Sequence, residues 1–142
     1  MRTAQDIIHY KGSTVWSVGS DDTVLHALEV MAEHEIGAVI VLDGDKILGI
    51  LTERHYARKV ILAGRSSRDS RVGDVMSDAV ICVPPDRTID ECLALMTDKR
   101  VRHLPVIDHK QIVGMVSIGD LVRARIAEQE HVIEQLQHYI AG

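Results

Sequence analysis

Phenylalanine is absent from this chain, and aromatic residues make up only 3% of it. A core must therefore be assembled from Val, Ile, Leu, Met and Ala. Cysteine is scarce as well. Cys82 and Cys92 form no CxxC and have no histidine at zinc spacing, so neither a disulfide scaffold nor a zinc knuckle is expected. A reducing, cytoplasmic setting fits that usage. No apolar run approaches bilayer-spanning length, and residues 1–11 carry Asp6 and His9 without the apolar centre of a signal peptide. No membrane partner is expected. Positive charge is in deficit, with 16 Lys and Arg against 21 Asp and Glu and a net charge of −5. General nucleic-acid binding needs the opposite sign, because cationic side chains must displace counterions. There is no Gly-rich phosphate loop, no Gly-x-Ser-x-Gly and no strand-linked Gly-x-Gly-x-x-Gly. The eight histidines form no local cluster at ligand spacing. Catalysis and metal binding are not expected.

What the chain does contain is typical of a globular protein: 46% hydrophobic residues and 26% charged. Its 142 residues make one ordinary domain or two very small ones. Halves of about 60 residues bury too little surface to stand comfortably alone, so two halves sharing a core are expected. The sequence also repeats. Displaced by 65 positions, Val15 falls on Val80, Val18 on Val83, Thr23 on Thr88, Leu28 on Leu93 and Met31 on Met96. The register continues without a gap through Val41 on Val106, Gly49 on Gly114 and Arg58 on Arg123. An ungapped match of this length marks a duplication.

Each copy reads as strand, helix, strand, strand, helix, an α/β unit. Val15–Val18 and Val80–Val83 are short β-branched strands. Helices open at Thr23 and Thr88, the latter with Glu91 placed for a capping box. Val24, Leu28 and Met31 share one helical face, as do Ile89, Leu93 and Met96. Strand pairs follow over Ala38–Leu42 with Ile47–Thr52, and over Leu104–Ile107 with Ile112–Ser117. Gly49 and Gly114 predict a bulge or a close backbone approach. Second helices start at Glu53 and Gly119. The division expected is an N-terminal helix capped by Thr3 and Asp6 with the first repeat over 1–64, a polar linker over 65–74, and the second repeat with a C-terminal helix over 75–142. Val122, Ile126, Ile133, Leu136 and Ile140 continue an apolar seam at 3–4 spacing, interrupted by Gln129, with no place in either repeat. Helix pairing in a homodimer is expected from it.

In tandem, these features resemble the CBS-domain pair, the Bateman module, in its standalone bacterial form. The resemblance covers essentially the whole chain. It rests on Gly49-Ile-Leu-Thr-Glu-Arg54, Val101-Arg-His-Leu-Pro-Val-Ile-Asp108 and, most specifically, Gly114-Met-Val-Ser-Ile-Gly-Asp-Leu121. It implies two repeats packed with pseudo-twofold symmetry and two clefts at their junction. Ligands of the family are adenine nucleotides such as AMP, ADP, ATP and NAD-type dinucleotides, or S-adenosylmethionine. AMP stands first among those expected here. The implied role is regulatory, read by a protein partner the sequence does not name. The alternative is a structural interaction and dimerisation module with vestigial clefts.

A nucleotide needs an apolar slot, an acceptor for ribose hydroxyls and donors for phosphate. Ser117-x-x-Asp120 would supply the acceptor where a strand becomes a helix, whose free N–H groups also favour an anion. The same Ser could simply cap the helix. Arg102 and His103 match a basic pair that touches phosphate in some family members, and a guanidinium can grip phosphate with two prongs. Ala79, Val80 and Ile81, with Val106 opposite, could hold adenine, or could be ordinary core. The first copy departs from this pattern. His55 replaces the carboxylate at 120, Gly37-Ala38 replaces Arg102-His103, and Thr52 stands in for Ser117. A second cleft of Thr52, His55, Val15, Arg54 and Arg58 would be weak, empty or repurposed. With Lys59 and Arg65 these side chains form either a cationic rim for a longer ligand or a solvated basic face.

Overall fold

The computed structural model describes residues 2–141. The chain divides into two compact units, residues 15–80 and residues 2–14 together with 81–141.

In the unit of residues 15–80, β1 (Ser17–Val18) runs parallel to β2 (Ala38–Asp43), which pairs antiparallel with β3 (Lys46–Thr52). Between β1 and β2 lies α2 (Val24–His34). The Thr23 side chain accepts from the His26 amide at its start, and Glu35 ends it at φ +53°. The β2–β3 turn uses Gly44 at φ +61°, a conformation that costs glycine no Cβ clash. The core is aliphatic, as the lack of Phe requires: Val24, Ala27 and Met31 of α2 meet Val39, Val41 and Leu51 of the sheet. Each of these side chains larger than Ala contributes about 1.5–3 kcal/mol when fully buried. After β3 come α3 (Glu53–Tyr56) and a π-helical turn (Ala57–Ile61) that buries Val60.

Residues 65–74, expected as a linker, are hydrogen-bonded into this unit. The amides of Val24 and Leu25, which the first turn of α2 leaves without helical partners, donate to the carbonyls of Ser70 and Ser67 at 2.9 Å. Arg71 reaches the Asp21 carbonyl at 2.8 Å, and α4 (Val72–Val75) buries both its valines. Ser77 then exchanges two backbone hydrogen bonds with Ile50. A Cβ on Gly49 would lie 2.5 Å from the Ser77 carbonyl oxygen, so the close approach foreseen there is real.

The other unit begins with α1 (Ala4–Lys11), closed at its start by a reciprocal Thr3–Asp6 capping box. Although α1 leads the chain, its Ala4, Ile7 and Ile8 are buried among side chains of the second repeat. Its first amides donate to the carbonyls of Arg87 and Pro85. The unit continues with α5 (Ile89–Lys99), β4 (His103–Asp108), β5 (Gln111–Ser117) and α6 (Ile118–Ala141). The capping box expected of Thr88 and Glu91 is present. The β4–β5 turn places His109 and Lys110 both at positive φ, as a two-residue hairpin turn of this hand requires.

The duplication is visible in the backbone pairing. Ala38 opposes Thr52 as His103 opposes Ser117, and Val41 opposes Gly49 as Val106 opposes Gly114. Both hairpins shift register at the next position, between Val41 and Leu42 and between Val106 and Ile107. Each glycine thus borders a bulge. The copies differ at the first strand. Val80–Val83 was expected to be a strand, but only a single parallel bridge, Val83 to Val106, forms. In the first copy the Ile40 amide donates to the Trp16 carbonyl. The residue matching Ile40 is Pro105, which has no amide hydrogen to donate, and Pro84 and Pro85 follow at once.

Candidate functional site

Strand β5 passes into α6 at Ser117, and the turn is closed from both sides. Ser117 Oγ accepts from the Asp120 amide at 3.2 Å, while Asp120 Oδ2 accepts from the Ser117 amide at 2.8 Å. The capping reading of Ser117 therefore holds. The carboxylate does more than cap, however. Lys11 Nζ at the end of α1 donates to Oδ2 at 2.7 Å, and Arg123 Nη2 donates to Oδ1 at 2.8 Å. The Asp120 side chain is only 9% exposed. Burial pushes its pKa upward, but the hydrogen bonds from Lys11 and Ser117 outweigh that and hold the carboxyl below the ordinary Asp value.

His103 opens β4 directly across from Ser117 and is half-buried. Its pKa is lowered, chiefly by burial and then by the charges of Lys11 and Arg102, with Asp120 opposing. Arg102 is exposed. Its carbonyl accepts from the Ile118 amide at 2.9 Å, while its guanidinium has no hydrogen bond or ion pair among the described residues. The end of α1, the start of β4 and the first turn of α6 thus gather Ser117, Asp120, Arg102, His103, Lys11 and Arg123: a buried anion, a neutral imidazole and three cations. Such a set can present donors to an anionic group and an acceptor to hydroxyls.

The expected adenine slot is less defined. Val106 is fully buried between its strand neighbours and is core. Ile81 packs half-buried against the same core. Ala79 and Val80 close the other unit, Ala79 exposed with its amide donating to Ser77 Oγ and Val80 half-buried.

The first copy repeats the cap with different chemistry. Thr52 Oγ1 accepts from the His55 amide, and His55 Nδ1 accepts from the Thr52 amide, both at 3.2 Å. An accepting Nδ1 must be unprotonated. Burial, and then the charges of Lys59, Arg54 and Arg58, lower the His55 pKa and keep it so. Arg54, Arg58, Lys59 and Arg65 are exposed, Val15 is half-buried, and the two cap hydrogen bonds use no carboxylate. Among the described residues, no group of His, Cys, Asp and Glu could hold a metal ion, and no helix is long and apolar enough to cross a membrane.

Sequence reasoning missed Lys11 and Arg123. Arg123 was findable, since it stands at helical i+3 spacing from Asp120. Lys11 was not, because 109 positions separate it from its partner and only the packing of α1 joins them.

Comparison with known proteins agrees with this anatomy. The sequence matches the CBS domain over residues 4–61 and 72–127. It is 41% identical over 150 aligned positions to the mitochondrial CBS domain-containing protein CBSX3 of Arabidopsis thaliana, covering 99% of this chain and 72% of that one. It is 34% identical to hypoxic response protein 1 of Mycobacterium tuberculosis, covering 95% and 91%. A solved CBS-domain protein of Burkholderia ambifaria MC40-6 superposes with a TM-score of 0.87 at 49% identity, over 89% of this chain and 96% of that structure.

Proposed function

The chain belongs to the CBS domain family, whose tandem modules are regulatory and non-catalytic, and from that premise we propose that it senses an adenine nucleotide at the Ser117–Asp120 turn. The observation that supports this reading is the Asp120 carboxylate, ionised and held in place by the Ser117 amide and Arg123, with Lys11 as a third partner that a ligand would displace. Preorganised acceptors lose little entropy on binding. Asp120 would accept from the ribose hydroxyls, while Arg102, His103 and Arg123 would face phosphate. AMP suits a site with this few cations, and ADP, ATP or an NAD-type dinucleotide would need donors beyond Arg102, His103 and Arg123. Occupancy would be read by a second protein through an arrangement that the ligand favours over another. We also propose that the chain works as a homodimer, in a reducing cytoplasmic setting that suits its two free cysteines.

One observation favours a different reading, an interaction module that binds no nucleotide. Ser117 and Asp120 already cap each other reciprocally, and the first copy closes the same cap with no carboxylate at all. Calorimetric titration with AMP, ATP and NAD separates the two. The sensor binds at least one of them, and both Asp120→Ala and Arg102→Ala weaken it by tenfold or more. Arg102→Ala carries the decision, because it spares the cap. Absence of heat with all three ligands, or binding indifferent to both substitutions, leaves the interaction module.

A further inference from the structure

Helix α6 outlasts the unit that carries it. Leu121 and Ala124 are its only buried residues, and every residue from 129 to 141 is exposed. An unpacked helical segment as short as 129–141 is marginal in water on its own, yet the exposed surface of α6 is not uniformly polar. Val122, Ile126, Ile133, Leu136 and Ile140 lie along one stripe, between 44% and 83% exposed. Their spacing is a heptad, with Ile126, Ile133 and Ile140 at one core position and Val122, Gln129 and Leu136 at the other. β-Branched Ile at the first position with Leu at the second is the pattern of two parallel strands.

We propose that α6 pairs with the α6 of a second copy as a parallel, in-register, two-stranded coiled coil. The proposal rests on the homodimer reading above and adds its surface and orientation. Two features decide the direction. In register, Gln129 meets Gln129 of the second copy, so the two amides can bond to each other. An antiparallel pairing centred on the same stripe sets each Gln129 against Ile133, burying an amide with nothing to bond. The flanking charges agree. In the parallel pair, Arg125 of one copy lies beside Glu130 of the other, an attraction made twice. Glu130 is exposed and has no ion-pair partner among the described residues, whereas Arg125 already reaches Asp90 and Glu128 and has donors to spare. The antiparallel pair sets Arg125 beside Val132 and Tyr139 of the second copy and gains no such contact.

The test uses the full chain. Sedimentation equilibrium is expected to give twice the 15.8 kDa chain mass, with Ile133→Asp weakening self-association at least 100-fold. Ile133 is exposed in the single chain, so that variant is expected to keep the wild-type fold over residues 2–128, with near-native circular dichroism, while its melting temperature loses the concentration dependence of a dimer. Gln129→Cys, oxidised and digested, is expected to yield a peptide disulfide joining position 129 to itself. A dimer that Ile133→Asp leaves intact overturns the α6 pairing while the homodimer reading stands. A dimer sensitive to Ile133→Asp that gives no 129–129 disulfide overturns the parallel register. A monomeric wild-type chain overturns both, and a trimer or larger overturns the two-stranded assignment.

Discussion

Lys11 Nζ and Asp120 Oδ2 stand 2.7 Å apart, joining the last turn of α1 to the first turn of α6 across 109 positions of sequence. The oxygen that Lys11 holds is the one that also accepts from the Ser117 amide. A ribose diol seeking that carboxylate would therefore meet a cation already in place. Lys11→Met is expected to tighten AMP binding about fivefold, the equivalent of roughly 1 kcal/mol for a partly exposed ion pair. Calorimetry of the variant checks it. Unchanged affinity would end the idea of competition, and a comparable weakening would instead assign the ammonium to phosphate.

The same pair fixes an acid limit. Asp120 has a folded pKa below its ordinary value of 3.8, so it contributes stability that is complete above that value. As pH falls from 3.8 through the folded pKa, the unfolded chain takes up the proton first and the contribution is lost. Asp120→Asn is expected to be less stable than wild type at pH 6, with the difference shrinking below pH 3.8. Denaturant melts at a series of pH values measure it. A difference that stays constant across that window would mean Lys11 and Ser117 do not stabilise the ionised form.

Much of this was legible in the residues. The duplication, the caps at Thr3, Thr23 and Thr88 and the close approach at Gly49 all follow from local chemistry, and each is present. What stayed hidden depended on partners distant in sequence. Nothing near Ser67 or Ser70 announces that their carbonyls serve the first turn of α2, so the polar stretch reads as a linker. The failure of Val80–Val83 as a strand was decided by Pro105 on the facing strand. Ser117–Asp120 was visible as a motif, while the cations that neutralise it could be seen only once α1 was packed.

The histidine in the first copy predicts a second, milder pH dependence. His55 has a folded pKa below 6.5, so the neutral ring that accepts from Thr52 contributes fully above pH 6.5. As pH drops from 6.5 through the folded pKa, protonation of the unfolded chain drains that contribution. His55→Asp would place a carboxylate at the N-terminal turn of a helix beside Arg54, Arg58 and Lys59. The variant is expected to be more stable by about 0.5–1 kcal/mol at pH 7, with the gain growing toward pH 5. Equal or lower stability at pH 5 would show that the ring nitrogen is not the acceptor the cap relies on.

The two bulge glycines offer a contrast that depends on what each one faces. A Cβ at Gly49 would lie 2.5 Å from the Ser77 carbonyl oxygen, part of a backbone pair with Ile50 that cannot yield without breaking two hydrogen bonds. A Cβ at Gly114 would lie 2.6 Å from Ile8 Cδ1 and 2.7 Å from its Cγ1, side-chain atoms that can shift without breaking a backbone hydrogen bond. Gly49→Ala is therefore expected to cost about 2–3 kcal/mol, near the top of the range for overpacking, and Gly114→Ala about 1 kcal/mol. Adding Ile8→Val to Gly114→Ala removes Cδ1, the nearer of the two clashing carbons, and leaves a Cγ free to move with the smaller side chain, so it is expected to return part of the loss, although Ile8→Val alone destabilises. Thermal melts of the four proteins decide it. If Gly114→Ala proves the costlier glycine change, or if Ile8→Val deepens its loss additively, the packing of α1 on β5 is not what requires glycine at 114.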